Sequence, residues 1–555
     1  MDGKCRGGQR LWIAARRLVQ TGWVAVAAVV ASAGGLTASD PLTVARRVDE
    51  LLREEIPYAG GQPPQRIDDA RYLRRVSLDI RGRLPTPEEL TAFVLDPSAD
   101  KRARLVERLL ADPQYGVNWG RYWRDVIMYR KTEERQQFLV NIPLEEYLAE
   151  SLNRNKPWSQ VATEFLTATG GANENGACAL IVAQQGKPEE IAGEVSRIFL
   201  GVQIQCAQCH DHPTDRWTRE QFHQLAAFFP RVATRPSNPQ DPRRELTITV
   251  TDLPLPRLLR GPMDMRFRGT PEHYMPDLKN PQSQGTLMQP VFFLTGDKLP
   301  LGSRDAERRG RLAQWITQHP YFAKAMVNRL WSELTGEGFY EPVDDMGPDR
   351  QGVGLRTLDY LAGEFAASGH DLKWLFRVIL ATERYQLPSA PRRGPEDPPM
   401  QHNVAQRLRA DQVFDNLLLV LELEEPVPPP GAGPLAGRLV RAPRRAFESV
   451  FGYDPSTPRD EIQSSIPQVL TMMNWPPLAA AIRGTGNTML ARQLAALRDD
   501  EALVGELYLR VLGRPATSSE LATCRQYLAE VKNRTEAFED ILWSLLNSAE
   551  FLHRT

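Results

Sequence analysis

The chain has 555 residues, 42% hydrophobic and 25% charged, an ordinary globular mixture with room for two or three domains. Its 68 Lys+Arg against 69 Asp+Glu leave a net charge of -1, so no global field recruits nucleic acid or an anionic membrane. With 5 Cys and 8 His in the whole chain, any place where they gather is informative.

At the N-terminus Lys4, Arg6, Arg10, Arg16 and Arg17 precede an apolar run from Trp23 to Val30, and Ala31-Ser32-Ala33 follows. Basic, apolar, then small is the order of a secretory signal peptide, here over 1–39, and predicts export to the periplasm or cell envelope. An uncleaved signal is the one membrane attachment expected. Export places the cysteines that remain in an oxidising space.

Residues 40–55 have helical spacing through Leu42, Val44, Val48, Leu51 and Leu52. Residues 57–64 form a Gly/Pro linker, and 72–80 predict a helix that stops at Gly82. Thr86-Pro87-Glu88-Glu89 is a capping box with proline at the first helical position, so another helix begins there. A helix over 103–110 ends before Asp112-Pro113. The aromatic stretch 118–130, with Trp119, Tyr122, Trp123 and Tyr129, reads as a buried helix. Helices over 159–168 and 187–200 follow, with a glycine-rich loop and a buried free thiol, Cys178, between them.

The second of these delivers the chain to Gly201-Val202-Gln203-Ile204-Gln205-Cys206-Ala207-Gln208-Cys209-His210-Asp211-His212-Pro213. Cys206, Cys209 and His210 stand in the C-x-x-C-H order that attaches a c-type haem, which makes them the cofactor-binding candidates. A helix over 218–229 then carries His223. Residues 246–250 alternate apolar residues with threonine, a short strand in an otherwise irregular connector over 231–300. Met263, Met265, Met275 and Met288 cluster in that connector, as gap-fillers or as soft sulfur donors.

Three runs carry a resemblance: R-x-S-L-D-I-x-G-x-L-P-T-P-E-E-L from Arg75, L-x-x-R-L-L-A-D-P-Q-Y-G from Leu105, and the segment from Phe199 to Pro213. Together they resemble the planctomycete cytochrome-c-associated domain. Leu312–Thr317, Phe322–Lys324, Val327–Trp331, Pro342–Asp345 and the ending Leu546–Leu552 are similar to its usual companion, a C-terminal domain of unknown function. The resemblance implies an exported, mainly α envelope protein of two helical domains, over 40–230 and 301–555, joined by Pro/Gly-rich irregular segments with little β. It implies no established reaction.

In the second domain a charged helix runs from 305 to 318, breaks at Pro320 and resumes to 334. Arg329 and the carboxylates Asp344-Asp345 predict an Arg–Asp pair that pins the loop between them, because guanidinium and carboxylate match bidentately. No acid/base partner or metal triad accompanies Asp344-Asp345, so no catalytic residue is assigned. Helices over 355–367 and 372–382 form a hairpin around Gly369-His370, and 408–423 is a further helix between Pro/Gly-rich stretches at 388–399 and 425–437. Six short helices close the chain.

An internal echo links the ends. Gly82-Arg83 with the Thr86–Glu89 box recurs as Gly513-Arg514 with Thr517–Glu520, and the endings at Tyr115, Tyr385 and Phe551 are alike. This predicts similar helix–helix units over 86–115 and 517–551.

Three functional readings of the cluster stay open. In the first, one covalent haem on Cys206 and Cys209 takes His210 as proximal ligand and serves redox chemistry with an envelope partner. His212 is then too close in the chain to reach the other face, and His223, Met263, Met265, His273, Met275 or Met288 are the distal candidates. In the second, zinc is held by both thiols with some of His210, His212 and His223. In the third, a Cys206–Cys209 disulfide staples an envelope scaffold or a partner of a secreted hydrolase.

Overall fold

The computed structural model describes residues 39–128, 130, 134–238, 240, 245–252, 269–390, 398–425, 440, 442–462 and 465–555. The signal segment, apart from Ser39, and Met263 and Met265 lie outside them. Helices dominate and the strands are few and short, so the protein is mainly α, as expected. Among the described residues no helix is long and apolar enough to cross a membrane.

Local chemistry accounts for where the helices start and stop. The Asp40 carboxylate accepts the Thr43 amide and Pro41 opens the helix Pro41–Glu55, which buries Val44, Val48, Leu51 and Leu52. Asp68 caps Asp69–Arg81 in the same way, and Gly82 ends it in the left-handed conformation at φ 72°. Thr86 and Glu89 close the expected capping box on Pro87–Leu95. The aromatic helix Gln114–Met128 is buried at Tyr115, Trp119, Tyr122 and Trp123.

Two helices of ten residues or more were not expected. Glu134–Asn153 holds Pro143 in its interior, a residue that normally ends a helix. Packing overrides that signal, because Val140, Leu144, Leu148 and Leu152 recur every fourth residue and are buried. The same helix lies against Gln114–Met128, where Gly116 and Gly120 permit the approach. A Cβ on Gly116 would sit 2.4 Å from the Ala149 carbonyl oxygen. Ala442–Phe451 is the second, burying Phe447 and Phe451.

One hydrophobic core takes side chains from Val44 to Met400, across the boundary expected at residue 301. A second core gathers residues between Leu408 and Phe551, together with Leu78 and Leu84. Residues 231–300 hold more β than expected. Strand β3 (Leu246–Val250) is central, with β1 (Gly170–Gly171) and β2 (Val232–Pro236) antiparallel on either side. Strands β4 (His273–Met275) and β5 (Thr286–Met288) form a hairpin that sets His273 opposite Met288. Three-residue strands are too short for alternation to mark them.

The echo is structural. Asp69–Arg81 and Asp500–Leu512 are both 13 residues long, start on an aspartate cap and end on a left-handed glycine. Each is followed by a capping box and two helices: Pro87–Leu95 and Lys101–Ala111 in one unit, Ser518–Val531 and Arg534–Leu546 in the other. Tyr115, Tyr385 and Phe551, the residues that end the three similar runs, are fully buried.

The buried carboxylate of Asp79 joins these parts. It accepts from Arg554 at 2.6 and 2.9 Å and from the Tyr385 hydroxyl at 2.6 Å. Breaking a buried ion pair from one side costs about 3–5 kcal/mol, mainly because a charge is left unpaired. Arg554→Met is therefore expected to lower the urea midpoint strongly, and Asp79→Asn added to it to recover part of the loss. A single variant within about 1 kcal/mol of wild type would show that the pair does not hold the C-terminal segment.

Candidate functional site

The helix Pro188–Val195 runs on as a π-helical turn, Ser196–Leu200, and Gly201 closes it at φ 64°. A Cβ on Gly201 would meet Met346 Cε at 2.6 Å, so glycine answers both the turn and the close approach. The Ser196 hydroxyl donates to the Val202 carbonyl at 2.8 Å. A single 3-10 turn, Gln205–Gln208, then carries the cysteines. Ala207 points inward and is buried, while Cys206 and Cys209 are exposed free thiols.

His210 is exposed, with Nδ1 2.7 Å from the Asp211 carbonyl oxygen. A carbonyl only accepts, so Nδ1 carries the ring proton and Nε2 of the neutral ring keeps its lone pair. That is how ligating histidines are usually prepared for a metal. His212 is half-buried, and its Nδ1 accepts the Thr214 amide at 3.3 Å. The His212 amide donates to the Trp217 carbonyl at 2.7 Å, folding the segment back on itself.

Arg219 fastens the turn from behind. Its amide donates to Asp211 at 2.8 Å, its Nε to the Gln208 carbonyl at 3.3 Å, and its terminal nitrogen to the Pro276 carbonyl at 2.5 Å. His223, buried on the helix Arg219–Ala226, reaches the same Gln208 carbonyl through Nε2 at 3.1 Å. Its Nδ1 lies 2.9 Å from His273 Nε2, and the two rings stack at 5.2 Å. Both ring nitrogens of His223 are thus engaged within the protein. Burial holds both histidines at about 4, well below their ordinary range.

A loop far along the chain grips both flanks of the motif. Met346 donates its amide to the Gly201 carbonyl at 2.7 Å, and Gln203 donates to Asp344 at 2.8 Å. On the other flank Arg350 donates to the Thr214 hydroxyl at 3.1 Å, and Arg216 pairs with Asp349. Gly347 faces Asp215 so closely that a Cβ there would sit 1.6 Å from the carboxylate. Asp344 anchors this loop. It is fully buried, and Arg197, Arg130 and Arg329 lie 3.0, 3.4 and 3.6 Å away. Burial favours its neutral form, but the three guanidiniums win and hold it at about 2.

The expected Arg–Asp pair is present, and of the two carboxylates it is Asp344 that Arg329 meets, as the longest of three contacts. The chain distance to Arg197 and Arg130 hid the others. Asn328 pins the same loop, accepting the Phe339 and Tyr340 amides and donating to the Tyr340 and Val343 carbonyls. Asp345, the neighbour, pairs with Arg350 at 3.0 Å.

Cys206, Cys209 and His210 come together on one exposed turn, whereas His223 is turned inward beneath it. His212 is not turned onto both sulfurs as a zinc site needs, and among the described residues no three His, Cys, Asp or Glu side chains stand close enough to hold a metal ion. The Cys206–Cys209 disulfide is not formed. The donor set does fit covalent haem: two uncovered thiols at the required spacing beside an imidazole whose Nε2 is bare.

The site is therefore an exposed C-x-x-C-H turn on a mainly helical scaffold, gripped by a loop from the second half of the chain. A family model described as PSCyt2, a protein of unknown function (DUF1549), matches residues 47–234, and PSD1, a protein of unknown function (DUF1553), matches residues 308–434. The chain belongs to the two-domain family that carries them in this order. No curated protein and no solved structure matches it. The turn lies in the first matched region and the gripping loop in the second.

Asp344→Asn keeps the shape and removes the charge, leaving Arg197 and Arg329 buried with less compensation. A loss of about 3 kcal/mol is expected by urea unfolding, together with faster tryptic cleavage after Arg216. A carboxylate whose pKa is lowered stabilises above its ordinary value and loses that effect as pH falls through about 2. The wild-type advantage should therefore be constant from pH 8 to about 5. Unchanged cleavage in a destabilised variant would separate Asp344 from the motif.

Proposed function

We propose that the protein works outside the cytoplasm as a single-haem redox protein of the cell envelope. Cys206 and Cys209 would hold the haem through thioether bonds, and His210 would bind its iron through Nε2. The observation that carries this reading is the His210 ring, whose Nδ1 is tied to the Asp211 carbonyl at 2.7 Å beside two exposed free thiols. Bound there, the group would supply one-electron transfer. The chain's own residues do the rest. Asp211 orients His210, Arg219 holds Asp211 and the Gln208 carbonyl, and the 341–350 loop fixes both flanks. The exposure of the turn suits exchange with an envelope redox partner, and one motif means one redox centre rather than a chain of them.

Expression with haem-attachment machinery tests this directly. A c-type absorption spectrum that survives denaturation, and an intact mass increased by one haem, are expected. Cys206→Ser with Cys209→Ser should lose the covalent mass, while His210→Ala should keep it and change the ligand-field bands. Protein without covalent haem but with one zinc that is lost on Cys206→Ser would replace this reading with the zinc site. The same mass spectrum reads export: secreted protein still containing Met1 to Ala33 would overturn signal cleavage.

A further inference from the structure

The buried histidine pair behind the motif has a direction, and the direction follows from hydrogen-bond counting. The Gln208 carbonyl accepts from Arg219 Nε at 3.3 Å and faces His223 Nε2 at 3.1 Å. A carbonyl has no proton to give, so His223 carries its proton on Nε2. Neutral His223 then has a bare Nδ1, and the nitrogen 2.9 Å away, His273 Nε2, must carry the next proton. Neutral His273 is left with a bare Nδ1, which faces Glu189 Oε1 at 3.9 Å. The inner end of the chain is saturated. The outer end sets a lone pair against a carboxylate with no hydrogen between them.

We infer that His223 and His273 are positioning residues for the C-x-x-C turn, and that His273 Nδ1 with Glu189 is the port through which a proton is felt at the Gln208–Cys209 peptide. A proton on His273 Nδ1 pairs with Glu189 and leaves His273 Nε2–H in place as a stronger donor. Donation into His223 Nδ1 polarises that ring and strengthens its Nε2–H bond to Gln208. The peptide oxygen that receives this belongs to the same amide unit as the Cys209 nitrogen. A proton on His223 Nδ1 instead would set two donors face to face and break the chain, so the outer nitrogen is the site of entry.

Few other charges face the pair. Glu189 comes from the helix Pro188–Val195, and Arg219 from the helix Arg219–Ala226, where it opposes protonation. Glu220 is turned to Gln224, and Glu272, before His273, is held by Arg308. Strand β5 has no titratable residue, and the Gln205–Gln208 turn brings Cys206, with Cys209 at its end. With burial holding both rings at about 4, both imidazoles are neutral at pH 7. Its folded state binds fewer protons than the unfolded chain below about 6.5, so the stability it contributes falls as pH drops from there toward 4.

The inference does not depend on what the thiols hold, and the full chain without cofactor tests it. With 15N-cysteine labelling there are five amide signals to assign, and 15N-histidine labelling reads the rings. At pH 7 both His223 and His273 should be Nε2–H tautomers. On acidification the Cys209 amide should shift with the same midpoint as His273 Nδ1. Glu189→Gln should lower that midpoint by about one unit, since an opposing charge is lost. His273→Gln keeps a donor toward His223 but cannot titrate, so its Cys209 signal should match wild type at pH 7 and lack the acid step. An Nδ1–H tautomer in either ring, a Cys209 amide indifferent to His273, or an acid step that persists in His273→Gln would overturn the inference. A failure to take up haem would overturn only the redox reading.

Discussion

The molecule depends on one buried negative charge. Asp344 is fully excluded from water, a position that is unfavourable for a carboxylate unless cations surround it. Three arginines do, and they come from places far apart in the chain: Arg130 after the aromatic helix, Arg197 in the approach to the motif, Arg329 in the helix Pro320–Thr335. Ser456 accepts from Arg197 and Arg329, drawing a fourth segment to the same point. The arginines are themselves shared with Glu194 and Asp454. Removing Asp344 would leave Arg197 and Arg329 buried with less compensation.

This cluster explains why two matched regions behave as one body. The first supplies the C-x-x-C-H turn and the second supplies the loop that holds its flanks, while the larger hydrophobic core runs through both. The helix Pro41–Glu55 packs on Leu355–Ala367 and Leu372–Ala381, and Arg309 donates to the Leu166 and Ala168 carbonyls. A turn made this way combines exposed side chains with support from both matched regions. The thiols and His210 face solvent, while Ala207 and the His223 ring behind them are buried.

Much of this was legible in local sequence. Capping boxes, aspartate caps and terminal glycines each act within one turn, so Thr86-Pro87-Glu88-Glu89 and Thr517–Glu520 announced their helices correctly. The Glu134–Asn153 helix was not legible, because Pro143 is a strong local signal and its compensation lies in Gly116, Gly120 and the buried face of another helix. The pairing of His223 with His273 was equally hidden, since fifty residues and two short strands separate them.

By itself the amino-acid sequence determined the helical class, the echo between the two ends, the family and the presence of Cys206, Cys209 and His210 at haem-attachment spacing. These are matters of neighbours along the chain, within reach of one turn or one motif. The tertiary structure decided the rest: that Asp344 rather than Asp345 is the anchor, that His223 faces inward instead of serving as a free ligand, and that the turn is held from two regions at once. Burial and opposite charge decide these, and both depend on which distant segments meet, which no local pattern encodes.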